Sequence, residues 1–183
     1  MNPGSRRHTP THPRLKPDRS RESLPAAGPA ELAAPVGTIA SAPRLLAEAG
    51  ADADETARAA GIDPGIFADP TTPISFGQMG RYLAACVWAA KDDRFALRVG
   101  LAEGPSALDA IGYLALHSPD VRTSLLTLRT YVHHVAGALS VAREGGLAVV
   151  DYTFLHPRIE GAGLITEAAM GLLLAVTRQL CGP

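Results

Sequence analysis

Cysteine is scarce in this chain: the 183 residues carry two, Cys86 and Cys181, with no C-x-x-C pair. A disulfide framework or a thiolate zinc site needs more thiols in closer order, so neither is indicated, and a reducing cytoplasm suits the chain. Uninterrupted apolar runs are lacking as well. The nearest approach, 163–176, contains Glu167, and a membrane span needs about 18 to 20 apolar residues. No secretory signal is expected at the start, because Arg6 and Arg7 run into His, Thr and Pro where an apolar segment would have to follow. Charge of one sign is missing too, with a formal net charge of −1 and 46% hydrophobic residues. That balance describes an ordinary chain able to build one core.

Catalytic constellations are also absent. There is no G-x-S-x-G, and no Ser or Cys has a predicted His and acid placed beside it, so the chain is expected not to be an enzyme, with no catalytic residues and no cofactor. His133 and His134 are adjacent, and on a helix their side chains diverge by about 100 degrees, which rules out the i, i+4 pair of a zinc helix. No metal site is expected. The fragment Gly161-Ala162-Gly163 lacks the remainder of a phosphate loop, and Asp92-Asp93 and Asp52 with Asp54 sit at helix starts, where acids complement the dipole.

What the chain does contain is punctuation. Residues 1–36 hold prolines at 3, 10, 13, 17, 25, 29 and 35 with few large apolar side chains, a composition that predicts a disordered tail. Its first 22 residues carry six Lys or Arg against two acids, which suits either a basic arm for anionic partners or a plain solvated terminus. Residues 37–183 then make one domain. Two short helices are predicted around 43–48 and 54–60, joined at Gly50 and closed at Gly61. They have the look of a DNA-reading pair, but Asp52, Asp54 and Glu55 surround the one Arg58, the wrong sign for a recognition helix.

A helix over 76–91 is announced by a Ser75/Gln78 capping box and an Ile74/Met79 staple. Tyr82 and Trp88 lie off its apolar stripe and suit either the roof of a ligand pocket or an interface, or ordinary packing. The stretch 94–103 fits strand alternation and a short helix, with helix preferred. The sharpest signal is LDAIGYLALHSPDVRTSLLTLRTYVHHV, 108–135. One helix carries Leu108, Ile111, Leu114 and Ala115 and ends at His117. A second is expected to start from a Ser118 N-cap with Pro119 in first position and Asp120 on the dipole, its stripe being Val121, Leu125, Leu128, Val132 and Val135. A β-hairpin follows, 139–143 and 147–154, turning at Gly145-Gly146. Its second strand is apolar on both faces, which calls for more sheet than one hairpin. The final helix, 163–180, is apolar nearly all round and is expected to be buried in a domain or an oligomer. The class is therefore α+β, predominantly helical, with a hairpin that is part of a small sheet.

The ordered set Ala60-Gly61-Ile62-Asp63-Pro64, Asp69-Pro70, Gly112-Tyr113, Ser118-Pro119 and the helix ending at Tyr131, then hairpin and apolar helix, resembles a known family. It is similar to the N-terminal effector domain of AraC-type transcriptional regulators, in the arabinose-binding branch, from about residue 37 onward. The resemblance implies a domain that binds a small-molecule effector and forms a homodimer, governing DNA through a C-terminal unit of two helix-turn-helix motifs and not through these residues. Against that pattern the sequence stops early, so a product truncated before the DNA-binding unit is expected. A stand-alone binding or interaction module, or a degraded gene fragment, is the alternative. Arg129, Tyr131 and His133 suit contact with an acidic effector, against the preferred reading of a solvated helix end where cations are welcome.

Overall fold

This computed structural model describes residues 32–182 other than Ala136, with the side chains of 133–135 left aside. The expected tail lies outside the described residues except at its end. There Ala33–Pro35 forms strand β1, paired antiparallel with β2, Pro73–Ser75. The chain leaves β1 through a 3-10 helix, Val36–Ile39, anchored by Val36 N–H to Thr72 O and Gly37 N–H to Pro70 O, both 2.8 Å. Two alanines and a proline carry no strand signal of their own, so this pairing rests on backbone hydrogen bonds.

Helices α1, Ala42–Glu48, and α2, Ala53–Ala59, turn at Gly50 with φ of 77° and end at Gly61 with φ of 74°, conformations that favour glycine. Ser41 ties α1 to the next layer, its N–H donating to Glu103 Oε1 at 2.6 Å. Helix α3, Phe76–Ala90, carries the expected capping box, with Gln78 N–H donating to Ser75 Oγ at 3.2 Å. The ambiguous stretch is helical as α4, Phe95–Ala102.

At the next junction α5 spans Asp109–Leu116 and α6 spans Val121–Val135. The cap differs from expectation. Asp120 holds the start of α6, accepting from Thr123 N–H at 2.8 Å, while Ser118 Oγ turns back and donates to Leu114 O at 2.9 Å. Those Thr123 bonds hold the Asp120 carboxyl below the usual carboxylate range. Leu114, assigned to the buried stripe of α5, is exposed, because Gly112 is the residue pressed against Pro105 and rotates that face outward.

Strands β3, Gly137–Glu144, and β4, Leu147–Phe154, form the hairpin in register Gly137 opposite Phe154, with Gly145 and Gly146 both at positive φ in its two-residue turn. Among the described residues no third strand joins it. The two faces of β4 divide: Val150, Tyr152 and Phe154 turn inward, Phe154 buried and in edge contact with Phe76 at 5.3 Å between centroids, whereas Leu147 and Val149 on the other face are exposed.

Helix α7, Ala162–Cys181, organises the packing. With mean hydropathy 1.3 it is long and apolar enough to cross a membrane by length and composition. Here its apolar side chains serve two separate core clusters. Ile165 and Ala168 belong to the first, with α1 to α4, while Leu172 and Val176 belong to the second, with Ala115, Leu125, Leu128 and Leu139. Its closest neighbour is α4, and glycines on both helices permit the approach. A Cβ on Gly100 would strike the Ala168 carbonyl oxygen, and one on Gly171 would lie 2.5 Å from Leu97 O and 2.8 Å from Leu101 N. Gly171→Val should therefore cost about 2 kcal/mol or more and lower the Tm by on the order of 5 °C. Gly163→Ala, where a Cβ meets open space, should change the Tm little; thermal unfolding of both variants checks this.

Candidate ligand-binding site

The two clusters do not close on each other completely. Between them lies a partly enclosed cavity of about 120 Å³. The first cluster contributes Ala34, Ile39, Phe76, Met79, Ile165 and Ala168, and the second contributes Leu128, Leu139, Leu172 and Val176. Leu108, Tyr131, Val132, Gly137, Tyr152, Ala169 and Leu173 complete the wall with Thr38. The cavity is thus assembled from β1, the 3-10 helix after it, α3, a second 3-10 helix, Pro105–Leu108, then α6, both hairpin strands and α7. Small residues hollow it. Ala168-Ala169 interrupts the leucine-rich sequence of α7, while Gly137 lets Tyr152 and Val132 close in, since a Cβ there would lie 2.6 Å from the Tyr152 ring and 2.8 Å from Val132 Cγ1.

Polar groups in the wall are few. Among the described lining residues no side chain is charged; the polar ones are Thr38, Tyr131 and Tyr152. The Thr38 hydroxyl already donates to Pro35 O at 2.8 Å. Burial pushes the Tyr152 phenol up to about 12 and raises that of Tyr131, to which the charge of Asp109 adds. Both phenols therefore stay protonated, able to donate and accept, at any physiological pH. Beside the cavity residue Leu108, Asp109 adopts a φ of 50°, a strained position of the kind that clusters at binding sites.

The residues singled out from sequence separate in space. Tyr131 is in the wall. Arg129, two positions earlier on α6, is exposed and outside it, and the His133 side chain lies outside the described residues. Trp88 is 84% exposed on the outer face of α3. Tyr82 is fully buried in the first cluster against Phe67, ring centroids 5.4 Å apart, and is not among the cavity residues. Its hydroxyl makes no hydrogen bond of good geometry among the described residues, and burial raises its pKa and pushes the neighbouring Cys86 thiol up to about 12. What sequence reasoning missed is the rest of the wall, whose members come from eight elements; the Ala168-Ala169 step was the available signal.

Two outcomes follow. An unfolded tyrosine loses its proton near pH 10, whereas folded Tyr152 keeps it to about 12. The folded state then binds the extra proton, so stability falls as pH rises across that window. Tyr152→Phe should flatten that fall in urea unfolding between pH 9 and 12, approximately by one proton's share. Tyr82→Phe removes a buried hydroxyl without a partner, and should hold or raise the Tm.

In comparison with known proteins, residues 50–183 match the family described as the arabinose-binding domain of AraC transcription regulators, N-terminal. No curated protein matches the chain at a significant level. The matched span takes in α2 to α7 and the hairpin, and hence most of the cavity wall, leaving Ala34, Thr38 and Ile39 before it. The chain belongs to the family of N-terminal arabinose-binding domains of AraC transcription regulators.

Proposed function

We propose that this chain is the effector-sensing and dimerisation domain of an AraC-type regulator, working in the cytoplasm, with DNA contacted through a helix-turn-helix unit of the parent regulator. The observation that carries the sensing role is the cavity's position: it lies between two core clusters that share α7, so an occupant touches both. A molecule that fits there prefers the arrangement in which both clusters close on it. That preference is the differential affinity a ligand needs to shift a population. Tyr131 is the residue of the sequence-derived set that such an occupant would touch.

Dimerisation is supported by the outer face of α7. Glu167, Met170, Leu174 and Arg178 are exposed and spaced by three, four and four residues, which makes them one stripe. An antiparallel pair of α7 helices about a two-fold axis sets Met170 and Leu174 against their copies and Glu167 of one copy against Arg178 of the other. Light scattering of the wild-type protein should give a dimer mass, with Leu174→Glu giving monomer. Glu167→Arg should weaken the dimer and Glu167→Arg with Arg178→Glu restore it; a wild-type monomer would remove this reading. For sensing, a thermal-shift screen of small metabolites should find a compound that raises the Tm, and that shift should vanish in Ala169→Leu, which fills the cavity from α7. A shift that survives Ala169→Leu would place the ligand elsewhere.

A further inference from the structure

A sugar-binding site needs a hydrogen-bond partner for each of several hydroxyls, because a hydroxyl moved out of water without one costs more than its contacts return. This cavity does not supply them. Its lining side chains are apolar apart from Thr38, whose hydroxyl is committed to Pro35 O, and the two tyrosines Tyr131 and Tyr152. No charged side chain among the described residues reaches the wall to neutralise a carboxylate or an amine, and Arg129 on the nearest helix is outside it. The size is equally restrictive. About 120 Å³ is close to the ~150 Å³ apolar cavity that accepts one benzene ring. We infer that the effector is an uncharged, mainly apolar molecule with a core the size of one aromatic ring and one hydroxyl or carbonyl held by the Tyr131 and Tyr152 phenols, and that arabinose is not the ligand.

The inference rests on the cavity being the sensing site, and the test separates the two. Isothermal titration of the whole chain is run with p-cresol, toluene, benzoate and L-arabinose, on wild type, on Ala169→Leu and on the double variant Tyr131→Phe with Tyr152→Phe. Wild type should bind p-cresol about tenfold more tightly than toluene, the difference expected of one hydrogen bond, and should bind neither benzoate nor arabinose. Ala169→Leu should lose both aromatic ligands while its circular dichroism and Tm stay native-like. The double variant should keep toluene and lose the preference for p-cresol. Binding of arabinose or benzoate that is tighter than p-cresol and abolished by Ala169→Leu would overturn the ligand class and leave the site standing. Binding unaffected by Ala169→Leu, or no binding of any of the four, would overturn the site as well.

Discussion

The backbone-to-backbone approach of α4 and α7 is the constraint on which the rest of the fold depends. Gly100 and Gly171 bring the helices to a separation at which either Cβ would meet main-chain atoms of the other helix. A second approach of the same kind, Gly80 of α3 against Gly161 and the Glu160 carbonyl, holds the start of α7. With its first half seated this way, α7 has its second half free to carry Leu172 and Val176 into a separate cluster built by α5, α6 and β3. One rigid helix thus serves two cores, and its register against α4 sets how closely they can come together.

The cavity is what remains between those cores. Small side chains keep it open: Ala34, Ala168 and Ala169 supply space, and Thr38, Tyr131 and Tyr152 are the polar members of its wall. A packed interior normally has no void of this size, since each lost contact costs dispersion and transfer energy. On the proposed reading, retaining one between two clusters that share a helix links occupancy to the relative placement of the clusters. That linkage connects the packing to the regulatory role of the family.

Much of the architecture is legible in the residues, where a local rule dominates. The Ser75/Gln78 box, the Gly145-Gly146 turn and the Leu125/Leu128 stripe each specify their element within a few positions. Where two local options compete, the sequence alone selects less well. Ser118 and Asp120 are both able caps, and the carboxylate reaches Thr123 N–H while the hydroxyl closes the preceding helix. Tyr82, off the stripe counted from Phe76, is buried because another side of α3 also packs into the first cluster, where its ring meets Phe67. Strand β1 had no signal at all beyond Ala-Ala-Pro. The site was the least legible part. Its wall joins residues from Ala34 to Val176, most of them unremarkable alanines and leucines whose common property is a shared void.

Amide hydrogen exchange with and without p-cresol tests the central claim, that an occupant of the cavity ties the two core clusters together through α7. The account predicts slower exchange at once in α3, in α6, in the hairpin and along α7 from Ile165 to Val176. Protection confined to one cluster, or no change on either side of the cavity, would contradict it.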